Sequence, residues 1–308
     1  MVRVELVEYV KDGERLVALA AKRSLSRKPV HEMTLTEEEV ETWIVETLRR
    51  NHWSPWEFSW YVFEVECSRV CTHQLVRHRV ASYAQMSQRH GMGSVKQMLA
   101  SIVSKVGPGC REDDPMCLAL AVERFEKLLK ESKENKVAES ELMDIVEEAF
   151  YVPYQVKVDR EVYREYVRHI LSSVKLYLVL LNKGVGYEDA RFVLPQAVKS
   201  RVLVAMNARE LATSFLPLRM CARAQEELRE VAWRLWHILV SVHPRLFKYV
   251  GPRCVMIENA VREKPVALRD LLKEDSPEEF IIERCPELVP KKTIRTCIVN
   301  TYRKTYRV

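Results

Sequence analysis

The strongest chemical feature of the sequence is a cationic segment without an acidic residue. Residues 71–90, CTHQLVRHRVASYAQMSQRH, contain three arginines and three histidines: Arg77, Arg79, Arg89, His73, His78 and His90. Guanidinium groups without a local counter-charge are costly to pack together, so the segment predicts a site for an external anion, and the planar donors of arginine suit phosphate. The same segment holds neutral side chains that can read the edge of a ring: Gln74, Ser82, Gln85, Ser87 and Gln88. The alternative is a solvated basic face.

A second group of arginines lies in three later runs: ARFVLP (Ala190–Pro195), NAREL (Asn207–Leu211) and LRMCARAQEELR (Leu218–Arg229). Arg219 and Arg223 are four residues apart, so a continuous helix would place both on one face. Because these arginines recur beside amides in an apolar context, the runs predict the wall of a pocket. Separate surface ion pairs are the alternative.

Composition excludes several other kinds of site. Glycine accounts for 8 of the 308 residues, well below the usual share of about 7%. The sequence contains neither G-x-G-x-x-G nor G-x-x-x-x-G-K-[ST], so side chains must hold any phosphate. The 8 cysteines include no C-x-x-C pair, so no metal site is expected. Reduced thiols are the simplest expectation, although the charged composition also suits a thermophile, in which intracellular disulfides occur.

The net charge of +6 is mild and suits a small anionic ligand as well as a nucleic acid. The cationic segment lacks the lysines and alternating aromatics of a single-strand channel, which argues against a nucleic-acid partner. The longest apolar run, Leu176–Leu181, is too short to cross a membrane. The first residues alternate apolar and charged side chains rather than forming a signal peptide, so a cytoplasmic location is expected.

The elements that must position these residues are predicted from hydrophobic periodicity. Segments 2–9 and 57–66 are typical of strands, and a capping box of Thr36 and Glu39 begins a helix that runs to about Arg50. Further helices are predicted over 118–150, 156–183, 207–215 and 224–242, and a further strand over 201–206. The expected fold is therefore α+β, with a small antiparallel sheet packed with several long helices.

A longer pattern resembles a known family. Arg77-His78-Arg79 followed by Ser87 is similar to the RHR-x7-S signature of the flavin-dependent thymidylate synthases, and the match continues through HQLVRHRVASYAQMSQR. Upstream, NHWSPWEF (Asn51–Phe58) is similar to the family's His-x-x-Pro-aromatic-Glu segment. The three arginine-containing runs come next, in family order. This resemblance implies a family-like domain over 1–250 with a helical insertion near 95–150, and an extension over 251–308 that it does not explain.

The resemblance also implies roles for individual residues. The family holds FAD at the positions of Ser54, Arg77, His78, Arg79, Gln85, Asn207, Arg209, Ser214 and Arg223. It holds deoxyuridine monophosphate (dUMP) at the positions of Gln74, Arg77, Gln85, Ser87, Arg89, Arg191 and Arg219. Arg219 corresponds to the arginine that faces the N3/O2 edge of the uracil and His52 to a histidine near flavin and folate, so these two are the expected catalytic residues.

The activity implied is reductive methylation of dUMP to dTMP. Methylenetetrahydrofolate supplies the carbon, FAD carries hydride, NADPH re-reduces the flavin, and no enzyme nucleophile is needed. The family also implies a homotetramer whose active sites are shared between subunits.

Several positions depart from the family pattern. Ala84 replaces an Asn, His90 replaces a Tyr, Arg223 replaces a His, and one additional residue lies between Asn207 and Arg219. On a regular helix the additional residue rotates every later side chain by about 100°, so either a bulge absorbs it or the site has drifted. A degenerate relative that keeps only nucleotide binding is therefore one alternative. The others are an unrelated nucleotide- or nucleic-acid-binding protein and an enzyme with Cys71 or Cys221 as nucleophile.

Overall fold

The computed structural model describes residues 2–107, 109–111, 113–277 and 279–306. These residues form two compact units. Unit 1 consists of Glu66–His73 and Gln85–Val202, and unit 2 consists of Val2–Val65, Gln74–Ala84 and Leu203–Val308.

A small sheet of four antiparallel strands runs through the fold in the order β1-β2-β4-β3. Its strands are β1 (Arg3–Tyr9), β2 (Trp60–Ser68), β3 (Ala81–Gln85) and β4 (Lys199–Asn207). Aromatic and β-branched residues make up most of the first part of β2, and its alternate side chains are buried, as in a strand with one face packed on the core. The predicted α+β fold is confirmed.

The helices have the following bounds: α1 Gly13–Arg23, α2 Glu37–Arg49, α3 Arg69–Leu75, α4 Ser94–Val106, α5 Pro115–Glu131, α6 Lys136–Ala149, α7 Tyr154–Lys157, α8 Arg160–Asn182, α9 Tyr187–Ala190, α10 Ala208–Glu210, α11 Leu216–Arg219, α12 Glu226–Val242, α13 Pro244–Phe247, α14 Arg253–Val261, α15 Leu268–Leu272 and α16 Lys291–Tyr306.

Unit 1 is built around α4, α5, α6 and α8, whose apolar faces share one core. The predicted helix over 118–150 is interrupted: α5 ends at Glu131, and the side chain of Asn135 caps α6. The long helix α8 begins after the cap Asp159 and ends before Gly184, whose φ of 83° suits glycine. Its bounds lie within the predicted 156–183.

A disulfide joins Cys110, in the connection between α4 and α5, to Cys117 in the first turn of α5. The composition is compatible with both free thiols and disulfides, and the chain contains both, since the six other cysteines are free. By cross-linking the ends of a short loop, the bond reduces the conformational freedom of the unfolded chain.

Unit 2 packs α1, α2 and α12 with the aromatic residues of β2 and α13. The predicted capping box is present, with Thr36 accepting from the backbone of Glu39 and the Glu39 side chain accepting from that of Thr36. Gly13 allows α1 to lie close to Ser59, because a Cβ at this position would be only 2.3 Å from Oγ of Ser59. The hydroxyl of buried Tyr61 lies 2.6 Å from Nδ1 of His243.

The segment from Asn207 to Arg219 is helical but irregular. It contains a π-helical turn, Leu211–Phe215, between α10 and α11. A π turn accommodates one more residue than an α turn, so the bulge alternative is the one that the chain adopts. The continuous helix that would place Arg219 and Arg223 on one face does not form, because α11 ends at Arg219 and a turn precedes α12. The next helix starts separately at Glu226, where the side chain of Gln225 accepts from the backbone N–H of Leu228 as an N-cap.

The residues after 250 belong to unit 2. Helix α16 packs against α12, with the ring of Tyr302 5.1 Å from that of Trp233 and the ring of Tyr306 5.4 Å from that of His237. The division at residue 250 stays a prediction. Within the described ranges, no helix combines the length and the apolar character needed to cross a membrane.

Candidate functional site

The two units share the predicted site residues unequally. Unit 1 carries Gln85, Ser87, Arg89 and Arg191. Unit 2 carries His52, Ser54, Gln74, Arg77, His78, Arg79, Asn207, Arg209, Ser214, Arg219 and Arg223.

His78 is the centre of a buried network in unit 2. The Nε of Arg219 donates to its Nε2 at 3.0 Å, and its Nδ1 lies 3.2 Å from both Oε1 of Glu210 and Oγ of Ser214. Because a guanidinium N–H can only donate, Nε2 is the acceptor and the proton of the neutral ring is on Nδ1. The network therefore runs from a carboxylate through an imidazole to the guanidinium of Arg219.

Neighbouring groups hold this network in place. The ring of Phe215 packs edge-on against His78, with the ring centroids 4.9 Å apart. The hydroxyl of Tyr83 donates toward the carbonyl oxygens of His78 and Leu75, at 2.8 and 2.9 Å. Burial and the charge of Glu210 raise the pKa of Tyr83, so this hydroxyl remains a donor. The π turn supplies both Ser214 and Phe215.

Asn207 links the network to the backbone of the sheet. It is the last residue of β4, and its Oδ1 accepts from the backbone N–H of Glu210 at 2.8 Å. This is an N-cap bond, which favours Asn at the start of a helix. The Asn side chain therefore fixes the start of the helical segment that carries Glu210, Ser214 and Arg219.

The remaining predicted cofactor residues of unit 2 lie at its surface. The side chains of His52, Ser54, Arg77, Arg79 and Arg223 are at least partly exposed. Within the part of the chain that the structure describes, Arg77 and Arg79 form no salt bridge. These two guanidinium groups retain the capacity to bind an external anion, as the segment predicted.

Arg209 is also exposed, and it pairs with Glu57 of the NHWSPWEF segment. The pair joins two of the segments that carry the family resemblance. An exposed pair of this kind contributes little to stability, so its carboxylate can yield to a ligand anion at small cost.

Arg219 and Arg223 line a common cavity of about 210 Å³ in unit 2. Its opposite wall comes from the residues after 250, including Arg253 and Glu287. The turn that carries Arg223 is held from α12, because Nη1 of Arg229 donates to the carbonyl oxygens of Ala222 and Ala224 at 3.3 and 3.0 Å.

Unit 1 contains a separate cavity of about 320 Å³ around Arg191. Arg69 and His73 line it together with Phe192, whose side chain is 82% exposed. Two cations beside an exposed ring suit an anion that carries an aromatic group. Nε of Arg191 donates to the carbonyl oxygen of Glu188 at 3.0 Å, which fixes one end of the guanidinium.

The other predicted substrate residues of unit 1 have polar partners. Nε2 of Gln85 donates to Oγ1 of Thr72 at 3.3 Å and to Oγ of Ser200 at 3.1 Å. Ser87 is exposed, and its Oγ accepts from the backbone N–H of Arg89 at 3.1 Å. Arg89 pairs with Glu188 at 3.2 Å, again at the surface.

Sequence reasoning missed Glu210, Tyr83, Arg69 and Phe192. Glu210 is within NAREL, but its role depends on a partner 132 residues away. Phe192 is within ARFVLP, and an aromatic residue directly after Arg191 is the signal that could have identified it.

The arrangement, a buried acid and imidazole behind one arginine together with exposed surface cations, is typical of a site that binds an organic anion and stabilises negative charge on it. Residues 5–245 match the model of the family described as Thymidylate synthase complementing protein, and the chain belongs to this family. The resemblance drawn from the RHR-x7-S pattern is thereby confirmed.

Individual relatives agree. The chain is 44% identical over 301 residues to the flavin-dependent thymidylate synthase of Aeropyrum pernix, an alignment that covers 96% of this chain and 92% of that protein. It is 39% identical over 301 residues to the flavin-dependent thymidylate synthase of Sulfurisphaera tokodaii, which covers 97% and 96%. Both alignments include most of the residues after 250, beyond the end of the family model.

The fold is similar to that of the UMP/dUMP methylase PolB from Streptomyces cacaoi, solved bound with 5-Br dUMP. The TM-score is 0.57 at 20% identity, covering 80% of this chain and 93% of that chain.

Proposed function

We propose that this protein is a flavin-dependent thymidylate synthase that methylates dUMP to dTMP. Family membership and the names of the relatives support the reaction and the flavin cofactor. The single observation that carries the mechanism is the bond from Arg219 to buried His78, because it holds a guanidinium in one orientation. The methylase with a similar fold agrees with a pyrimidine nucleotide substrate.

The side chains at the predicted cofactor positions can bind FAD, because they include cations and hydrogen-bond donors. Arg77 and Arg79 are exposed cations suited to the pyrophosphate, and Ser54 and the Arg209–Glu57 pair lie on the other segments that the family resemblance assigns to the cofactor. When bound, reduced FAD supplies the hydride of the reaction. Residues of this chain would orient the cofactor and exclude water from it.

Arg219 has the main electrostatic role in the proposed mechanism. A fixed cation at the uracil edge stabilises negative charge that develops on the ring, and its effect depends on being oriented before the reaction. Glu210 and His78 provide that orientation through the network of unit 2. No nucleophile of the chain is needed, which disfavours the alternative enzyme built on Cys71 or Cys221; burial raises the pKa of Cys221, so its thiol is a poor nucleophile.

Methylenetetrahydrofolate as carbon donor and NADPH as reductant are the finer parts of the proposal, as are a homotetramer with shared active sites and a cytoplasmic location. His52 is the proposed residue near flavin and folate, and its exposed position after α2 is compatible with contact to a ligand.

The test is an oxygen-free assay that contains the purified protein, dUMP, methylenetetrahydrofolate, FAD and NADPH, with dTMP measured by chromatography. Omission of each component in turn identifies the carbon donor and reductant. We expect dTMP only in the complete mixture. Binding of dUMP without dTMP formation, and without a visible flavin band, would instead indicate the degenerate relative. Sedimentation of the same preparation tests the homotetramer.

A further inference from the structure

Four cysteines surround one small cavity in unit 2. They are Cys221, Cys254, Cys285 and Cys297, and the cavity has a volume of about 40 Å³. They come from four separate places: the turn between α11 and α12, helix α14, the connection that precedes α16, and α16 itself. None of the four is in the disulfide. Such a concentration of thiols from distant parts of a chain indicates a ligand that prefers sulfur.

We propose that these four cysteines bind one Zn²⁺ ion as a tetrahedral Cys₄ site. Structural zinc sites take four thiolates and no water, and they are closed to solvent. Cys254 and Cys285 are buried and the other two are half-buried. The cavity has room for about three water molecules, which is enough for one ion but not for an iron–sulfur cluster.

The thiols are near enough to influence one another. Burial is the main cause that raises the pKa of Cys254 to about 12, and the charges of the other three thiols of the cavity contribute to the rise. Zinc binding replaces thiol protons with metal–sulfur bonds: one Zn²⁺ and four Cys–SH give [Zn(S–Cys)₄]²⁻ and four H⁺, with no change of oxidation state.

The four sulfur atoms line the cavity but are farther apart than the ligands of one metal ion. Within the described residues, no three of the four lie within 4.8 Å of one another. Around zinc, with Zn–S bonds of about 2.3 Å, they would be about 3.8 Å apart. Rotation of a cysteine between staggered conformers moves its sulfur by about 3 Å, so side-chain rotation into the cavity can close the site.

The surrounding charges favour the double negative charge of the product. Arg223 lines the thiol cavity, and Arg219 and Arg253 line the adjoining one. The carboxylate of Glu287 acts in the opposite direction. The guanidinium groups outnumber it, so the charge of a tetrathiolate zinc centre is compensated locally.

The site would fasten the residues after 250 to the turn that carries Arg223. Cys221 is two residues from both Arg219 and Arg223, and the other three ligands all lie after residue 250. The metal would thus position those arginines. This consequence rests on the proposed function, whereas metal binding does not.

The test begins with the metal content of the purified full-length protein, measured by mass spectrometry after growth with added zinc. We expect about one zinc per chain, and a loss of more than tenfold in Cys285→Ser and Cys297→Ser. Cys67→Ala is the comparison, since Cys67 is a buried free cysteine that does not line this cavity and belongs to a different group, Cys67, Cys71 and Glu227, whose ligand atoms lie within 4.8 Å of one another. Unchanged zinc in both serine variants, loss of zinc only in Cys67→Ala, or no zinc in the wild type would overturn the proposal.

A second measurement, on the wild-type protein, keeps the proposal testable if the serine variants fail to fold. Wild-type protein is stripped with a thiol-modifying reagent and a chelator, reduced, and titrated with Co²⁺. Four thiolates around Co²⁺ give ligand-field bands to the red of flavin absorption, with an end-point at about one equivalent. Weak bands of an octahedral ion, or an iron–sulfur spectrum in the protein as isolated, would contradict the proposal. Because neither readout needs turnover, an inactive protein that binds zinc would refute the proposed function and keep the metal site.

Discussion

The two units hold arginines in opposite ways. In unit 2, Arg219 bonds to buried His78, which is fixed in turn by Glu210 and Ser214. In unit 1, Arg191 bonds to one backbone carbonyl at the edge of a cavity, and Arg89 makes an exposed pair with Glu188. A guanidinium that is held by buried partners keeps one orientation. A guanidinium with a weak surface partner can exchange that partner for a ligand. The difference separates charge stabilisation from binding.

Arg219→Ala tests the fixed end of this comparison and has the largest expected effect. Removal of one preorganised donor typically lowers the rate on the order of 10² to 10³-fold. We expect that loss in kcat for dTMP formation in a protein that is still folded. The control is Arg234→Ala, which removes an arginine from an ion pair on α12. Near-wild-type turnover of Arg219→Ala would eliminate the proposed mechanism.

Glu210→Ala tests the role of the network as distinct from that of Arg219 itself. It leaves the buried imidazole without its carboxylate partner. A hydrogen bond to a charged group contributes roughly 1.5–3 kcal/mol. If the transition state loses that amount of stabilisation, the rate falls about tenfold to a hundredfold. Glu210 positions Arg219 through His78, so kcat should fall while the KM for dUMP changes little. Glu210→Gln keeps an acceptor for Nδ1 and should restore most of the rate. If Glu210→Gln were as slow as Glu210→Ala, the carboxylate charge rather than orientation would be the essential property.

Arg191→Ala tests the arginine that can exchange its weak partner for a ligand. Loss of one cation from the unit 1 cavity should raise the KM for dUMP about tenfold and leave kcat within about threefold, because the remaining Arg69 still provides charge. Arg69→Ala provides the matched comparison. A fall in kcat with unchanged KM would mean that the two regions do not divide their roles in this way.

Much of this comparison could be predicted from the sequence, and its failures have a common cause. Capping at Thr36 and the periodicity of α8 and α12 depend on neighbours within a few residues, so their prediction succeeded. Residues 71–90 contain no acidic side chain, which predicts cations without a counter-charge. In the fold, Glu210 lies beside His78 and Glu188 beside Arg89, from more than ninety residues away in sequence.

The thiol cavity shows the same limit. Without a C-x-x-C pair, cysteine spacing predicts no metal site, and Cys221, Cys254, Cys285 and Cys297 come together around one cavity only in the folded chain. Spacing rules detect ligands that share a turn and cannot detect ligands from four separate elements. The π turn at Leu211–Phe215 differs, since a single additional residue in a recognised segment was enough to suggest it.

Ala84→Asn tests the cofactor side of the comparison. Ala84 is exposed on β3 and cannot supply the hydrogen bond that the family's Asn implies. One added hydrogen bond contributes about 0.5–1.5 kcal/mol, so FAD affinity should rise up to roughly tenfold. Calorimetric titration of the cofactor-free protein measures this. The neighbouring exposed substitution Ser82→Asn is the control, and an equal gain in both variants would show that residue 84 has no special contact.

Ser87→Ala should have the smallest effect, although Ser87 completes the signature that first suggested the family. Its hydroxyl is exposed and accepts a bond from the backbone of Arg89, so the change removes a local turn contact and at most one bond to substrate. Since the mechanism needs no covalent serine, we expect a KM for dUMP raised by about threefold and a kcat within about twofold of wild type, as for a neutral hydrogen bond of about 1 kcal/mol or less. Steady-state kinetics measures both constants. Complete loss of turnover, together with a nucleotide attached to Ser87 in the mass spectrum of the wild type, would replace charge stabilisation by Arg219 with covalent catalysis, and the distinction between a fixed catalytic region and an adaptable binding region would no longer hold.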